Sequence, residues 1–324
     1  MTSQFPATRP SWRADFAGSR TVQPQFTVTR SGVASYFDST GTARSVGANV
    51  PRINHDPVTG ECLGLLIEGA SANILLNSET LATQSVSVSA VTYTLSFFGT
   101  GSINLSGGFS GTIVGTGGKY RRVFTFTPSA GSLTLTVTGS VSNAQLEIGS
   151  FATSWIPTAG ASASRGEDRI SLISSAFSSW FRQDKGTFVI DVNQYATPNA
   201  TQYIINVTDS GTLVNFYGVR IANNGDMNAV ANLAGTPECY IPIGNAKLNQ
   251  INRIVFAYRE NDFAAASNWS EMTEDTVGSL PTVDRMIIGN TPAYQQPWYG
   301  HIKLMLYWPT RVSDSEAIAL AGFR

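Results

Sequence analysis

Period-two alternation of apolar and hydroxyl-bearing side chains is the feature that most limits what this chain can become. In TYTLSFFG, Tyr93, Leu95 and Phe97 point one way and Thr94, Ser96 and Phe98 the other. VFTFTP and LTLTVTG repeat the pattern through Val123, Phe124, Phe126, Leu133, Leu135 and Val137. Such alternation is that of a half-buried antiparallel strand, and no comparable helical period competes with it. The runs are punctuated by GTGS, SGGFSG, GTGGK and SAGS, which suit hairpin turns because glycine accepts positive φ. Short strands at this spacing predict a sandwich or a barrel.

Strands resume in the second half as GTFVIDVNQ, QYIINVT, LVNFYGVRIA, INRIVFAYRE, DRMIIGN and HIKLMLYW. Several are continuous apolar runs, as expected where two sheets pack face to face. Between the halves, FATSWIPTAGASASRGEDR is rich in Pro, Gly, Ala and Ser and reads as a linker. Near the C-terminal end, Ser313 followed by Glu316 forms a capping box, which predicts a short helix. The expected fold class is all-β: two antiparallel β-sandwich or jelly-roll domains in tandem with a short C-terminal helix. The expected parts are an extended arm over residues 1–23, a first domain over 24–150, a linker over 151–168 and a second domain over 169–324. In the arm, Phe5, Trp12 and Phe16 are interleaved with Pro6, Pro10, Arg9 and Arg13. They suit either a groove on a partner or packing on the chain's own first domain, and both readings stay open.

Charge is scarce. Only 13% of the 324 residues are charged, about half the usual share, and the net charge is −1. No basic stripe exists to steer nucleic acid, and no apolar window is long enough to insert into a membrane. The N-terminal MTSQFPATRPSWRADF lacks the apolar core of a secretion signal, so synthesis in a cytosol is expected. Cys62 and Cys239 are too few for a disulfide framework. With His55 and His301 the only histidines, neither a zinc cluster nor a Ser-His-Asp site is expected, and no cofactor motif occurs. The NNGDMN loop at Asn223–Asn228 reads as a turn rather than a calcium site.

The stretch from Asn49 to Glu79 gathers His55, Asp56, Glu61, Cys62 and Glu68. Its carboxylates are candidates for a glycosidase pair. The DPVTGE within it, however, has the chemistry of a turn, and the following LGLLIE that of a buried strand. The longer segment FTVTRSGVASYFDSTGTARSVGANVPRINHDPVTGECLGLLIEGASANILLNSE, Phe26 to Glu79, resembles a signature of phage and prophage virion proteins. NAQLEIGSFATSWIPTAGASASR, Asn143 to Arg165, resembles that family's exit from its first domain. GHIKLMLYWPTRVSDSEAIAL, Gly300 to Leu320, is similar to the end of concanavalin A-like, laminin-G-type sandwiches. The resemblance covers roughly residues 24–324 and leaves the arm uncovered.

What it implies is a fibre, spike or receptor-binding protein on a virion surface. The first domain would be a carbohydrate-binding jelly roll and the second a lectin-like sandwich. Implied partners are other virion proteins and a host cell-surface polysaccharide, in a homo-oligomer with a trimer favoured. No catalytic residue transfers, so the expectation is a non-enzyme. The alternatives are a purely structural decoration or collar protein and a polysaccharide depolymerase. In similar proteins the strand resembling AYRENDFAAASNW turns at Asn-Gly, whereas here Trp269 follows Asn268. That makes the pair a candidate sugar platform. PAYQQPWYG adds Tyr294, Gln295, Gln296, Trp298 and Tyr299, aromatics and amides on one loop. Phe5, Trp12 and Phe16 are the candidates for virion attachment.

Overall fold

The computed structural model describes residues 9–197, 200–209, 212–268 and 270–322. Among these residues the fold is all-β. Its paired strands run antiparallel, and the helices are three short ones at Phe16–Ser19, Ser175–Ser178 and Asp314–Gly322. The chain forms two compact units, but not as consecutive blocks. The larger comprises the described residues through Thr29, then Leu63–Gly69 and Asp168 onward; the smaller comprises Arg30–Cys62 and Ala70–Glu167. The tandem division at 24–150 and 169–324 is corrected accordingly. Pairing between strands distant in sequence decides membership of a unit, and local composition does not record it.

In the larger unit one sheet runs Thr273–Asp275, Phe263–Ser267, Ile251–Arg259, Lys185–Gln194, Gly300–Trp308. Gly300–Trp308 is also paired by Leu65–Ile67 and by Trp12–Asp15. The second sheet has seven strands: Thr27–Thr29, Arg169–Ile173, Arg285–Ile288, Gln202–Thr208, Phe216–Ile221, Asp226–Leu233 and Thr236–Asn245. The two meet over aromatic rings. Tyr217 of the second sheet lies 4.6 Å from Tyr258 of the first, and Phe181 stacks within 5.5 Å of Tyr307. Pro237 and Pro242 interrupt the donors of the last strand, which discourages further pairing along that edge.

The arm is part of this unit. Trp12 pairs with Tyr307, its ring stacks on Trp180 at 4.6 Å, and Phe16 packs on Phe26 at 5.5 Å. Trp12 and Phe16 are 6% and 1% exposed, so neither presents a ring to a partner. The exposed-aromatic reading fails for these two because a strand almost 300 residues away supplies the slot. Phe5 lies outside the described residues.

The C-terminal helix starts as expected. The Ser313 N–H donates to Glu316 Oε2 at 3.0 Å, and the Glu316 N–H reaches Ser313 Oγ at 3.4 Å. Ala317, Leu320 and Ala321 then cover Val189, Val255 and Leu306 of the first sheet. Ser313→Ala is expected to cost about 1 kcal/mol through loss of the cap, read as a lowered urea midpoint at unchanged slope. A midpoint equal to that of the parent would show that the cap does not hold the helix.

The smaller unit packs a four-stranded sheet (Gly111–Val114, Ser102–Gly107, Gly131–Thr138, Gln84–Val88) on a three-stranded one (Arg122–Phe126, Tyr93–Phe98, Ser142–Ile148). Leu95, Phe97, Ile103, Leu105, Leu133, Leu135 and Leu146 fill the space between. Val123, expected inside with Phe124 and Phe126, is 44% exposed because strict alternation turns it to the other face.

Residues 151–158 do not behave as a linker. The Thr153 N–H donates to Glu147 Oε1 at 2.9 Å, the Ile156 N–H to Gln145 Oε1 at 2.6 Å, and Trp155 Nε1 to Ser78 Oγ at 3.1 Å. Ala163–Arg165 then pairs with Ser71–Asn73. Pro, Gly and Ser foretold irregular backbone there, but irregular backbone can still be packed.

Candidate functional site

The Asn49–Glu79 stretch is architectural where the structure resolves its contacts. The Gly60 N–H donates to the Asp56 carbonyl, and the Val58 and Thr59 N–H groups donate to Asp56 Oδ1 at 2.8 and 2.7 Å. Partial burial pushes the Asp56 carboxyl up, but the Thr59 and Val58 donors outweigh it and leave it lowered. Asp38 closes the preceding hairpin in the same way. The Thr40 hydroxyl, then Arg44, hold its carboxyl well below the usual range. Gly41 adopts φ +76° in that hairpin, where a Cβ would lie 2.1 Å from the Pro57 carbonyl oxygen. His55 is buried with Nδ1 3.1 Å from the Phe37 carbonyl, and Glu61 is exposed. Glu68 is buried, accepting from the Tyr195 hydroxyl and donating its N–H to Asp168. Asp56 and Glu61 bracket one turn while Glu68 directly follows the strand Cys62–Ile67, so the turn does not set up a facing pair.

The loop candidates divide. Trp269 lies outside the described residues. Asn268 holds a tight turn at φ 48°, its Oδ1 accepting from the Arg253 N–H at 2.9 Å. Asparagine tolerates that conformation. Trp298 is fully buried, so its ring faces cannot receive a sugar, and that assignment is withdrawn. Tyr299 is half-buried, with its N–H on Gln202 Oε1 at 3.1 Å. The Arg169 guanidinium sits 4.5 Å from the centre of the Tyr294 ring. Gln295 is exposed, and Gln296 accepts the Tyr203 N–H on its carbonyl at 3.4 Å. That last bond ties the loop to the seven-stranded sheet.

A cavity of about 220 Å³ opens on the outer face of that sheet. Pairing shows why these side chains meet there. Tyr203 is opposite Arg220, and Arg220 opposite Asn228; Phe216 is opposite Asn232, and Val230 opposite Tyr240. In the Phe216–Ile221 strand, Tyr217 turns inward to Tyr258, so alternation sends Phe216, Gly218 and Arg220 outward. Tyr203, Phe216 and Val230 form the buried floor, with the two rings 6.1 Å apart edge to face. Gly218 leaves room for Tyr203, because a Cβ there would lie 3.1 Å from its ring. Tyr240 is 53% exposed, and its ring centre is 5.7 Å from the Arg220 guanidinium carbon. Asn232 also lines the cavity.

The polar groups of this face are under-used. Arg220 reaches the Tyr203 hydroxyl at only 3.4 Å, and its buried Nε finds no protein partner among the described residues. On the same outward rows, Asn228 Oδ1 and both amide atoms of Asn206 also find none. Cys239, against the cavity, is 2% exposed, and burial pushes its thiol far up, so it is not a nucleophile. Among the described residues no cluster of three or more His, Cys, Asp or Glu side chains is placed to hold a metal ion. In the NNGDMN turn, Asn224 and Asn245 occupy the two carboxylate oxygens of Asp226.

None of the described loop candidates lines this cavity. The available signal was the strand FYGVRI itself, whose Phe, Gly and Arg share one face opposite Tyr, Val and Ile. It could not be read without knowing which face the other sheet covers.

No protein-family model matches the chain, and no curated protein matches it. Among solved structures, the CBM40 of the Ruminococcus gnavus IT-sialidase bound to α2,3-sialyllactose is 20% identical, with a TM-score of 0.38 over 43% of this chain and 84% of that one. The NanB sialidase from Streptococcus pneumoniae is 18% identical, with a TM-score of 0.38 over 45% of this chain and 25% of that one. The Trypanosoma rangeli sialidase in complex with the inhibitor DANA is 15% identical, with a TM-score of 0.39 over 47% of this chain and 26% of that one.

Proposed function

We propose that this chain is a non-enzymatic, glycan-binding part of a phage particle, displayed on the virion surface. In this reading the larger unit holds a saccharide at the cavity beside Tyr240. The observation that carries the binding reading is the combination on one sheet face of an exposed tyrosine ring, a buried aromatic floor and unsatisfied guanidinium and amide groups. Aromatic faces stack on apolar sugar faces, and fixed amides and guanidinium groups read hydroxyls. The cavity is smaller than the roughly 300–1,000 Å³ that engulfs a drug-sized ligand, so it suits a terminal or branch sugar. The virion assignment rests on the resemblance of Phe26–Glu79 and Asn143–Arg165. Other virion proteins and further copies of this chain, in a trimer, are the proposed partners.

The test is a glycan-array scan of the full chain and of Tyr240→Ala, with product analysis on each polysaccharide bound. Binding without new reducing ends is expected, weakened roughly 3- to 10-fold by loss of the ring. New reducing ends would make the protein an enzyme. Binding indifferent to Tyr240→Ala would place the site elsewhere.

A further inference from the structure

We infer that the sugar held at this cavity carries a carboxylate, and that Arg220 is the residue that selects it. The inference rests on the glycan-binding reading and specifies its ligand class. Among the described residues Arg220 is the one cation lining the cavity, and no carboxylate lines it with Arg220. Elsewhere in the same unit arginines are matched: Arg253 with Asp191, Arg182 with Asp184, Arg259 with Asp262, Arg285 with Asp284. Among the described residues no such partner faces Arg220. What it has instead is a long contact to the Tyr203 hydroxyl and the ring of Tyr240. A buried N–H without an acceptor is costly, so Nε is a donor waiting for an oxygen from outside.

A guanidinium presents parallel N–H groups that match the two oxygens of a carboxylate, and a charge-assisted pair is about twice as strong as a neutral one. One guanidinium balances the single charge of a carboxylate. A phosphate monoester, at nearly −2, would leave charge unmatched on a face with no second cation among the described residues of the cavity lining. The flanking rings supply what a hexose acid also needs. Tyr240 offers a stacking face, while Asn232, with Asn228 in the neighbouring row, offers amides for hydroxyls.

The experiment uses the full chain on an array of neutral, uronate-bearing, sialylated and sulfated glycans. Each bound carboxylated glycan is compared with its carboxyl-reduced form, in which only –COOH has become –CH₂OH. Binding confined to carboxylated glycans is expected. Carboxyl reduction and Arg220→Gln should each weaken it roughly 10- to 100-fold, with Arg220→Lys weakening it less. Binding that survives carboxyl reduction, or that favours neutral or sulfated glycans, overturns the inference while leaving glycan binding in place. No binding to any glycan overturns the glycan reading itself. The reduced glycans decide the matter even if the Arg220 variants fold poorly, and an unchanged unfolding midpoint shows when they do not.

Discussion

Asp191→Ala is expected to lower the unfolding free energy of the larger unit by roughly 3–5 kcal/mol, because it leaves a buried guanidinium with no counter-charge. Asp191 and Arg253 are direct cross-strand partners on Lys185–Gln194 and Ile251–Arg259. Arg253 Nε donates to Asp191 Oδ1 at 2.6 Å, and its NH2 group donates to Oδ2, so the pair is bidentate. Both residues are less than a tenth exposed, at 8% and 9%. The loss measures the stranded charge rather than the net worth of the pair. Asp191→Leu combined with Arg253→Met should therefore recover most of the stability, since two apolar side chains of similar size need no partner. The check is urea unfolding followed by tryptophan emission, to which Trp12, Trp180, Trp298 and Trp308 of this unit contribute. A loss below about 1 kcal/mol for Asp191→Ala would mean that the pair behaves as an exposed surface bridge.

Stability is also expected to fall steeply above pH 10. Tyr217, Tyr258 and Tyr307 lie together in the core, with the Tyr258 and Tyr307 hydroxyls 2.8 Å apart and the Tyr258 hydroxyl donating to the Arg182 carbonyl at 2.7 Å. Burial pushes the Tyr307 phenol up to about 12 and pushes Tyr258 and Tyr217 well above their ordinary range. An unfolded tyrosine releases its proton near pH 10, while these folded ones keep theirs. Unfolding in this range therefore releases protons, and rising pH favours it. The stabilisation is complete below pH 10, and between about pH 10 and 12 each such tyrosine removes about 1.4 kcal/mol per pH unit. Tyr307 stops adding to the slope near pH 12, where it ionises in the folded chain as well. Urea midpoints across this range should show the decline, and Tyr217→Phe should make it shallower. Flat stability to about pH 11.5 would contradict the account.

Gly186 sits beneath these hydroxyls. A Cβ there would fall 2.3 Å from the Tyr307 oxygen and 2.7 Å from that of Tyr258. The GTFVIDVNQ run is visible in the sequence, but the reason its first residue is glycine lies on a strand more than a hundred residues away.

Features carried by a few consecutive residues were legible. Alternation in TYTLSFF located a strand and its inward set of Tyr93, Leu95 and Phe97. Asp56, Pro57 and Gly60 announced a turn, and Ser313 with Glu316 announced a helix start. Each depends on backbone geometry within one turn or one pleat, so neighbours in sequence suffice to determine it.

The candidate site was not legible in that way. Trp298 and Tyr240 are both aromatics near a strand, yet one is fully buried and the other 53% exposed. Thr94 and Ser96, polar and expected outside, are both fully buried, and the Thr94 hydroxyl donates to the Gly149 carbonyl at 2.8 Å. The sequence by itself determined that this chain makes antiparallel strands, where several turns fall, and that charge is sparse. Tertiary structure alone decided that Trp12 and Leu65–Ile67 join the sheet of Gly300–Trp308, and which face of FYGVRI is covered. Alternation states that a strand has two faces. Only the partner sheet states which one it buries, and so whether Arg220 meets a core or solvent.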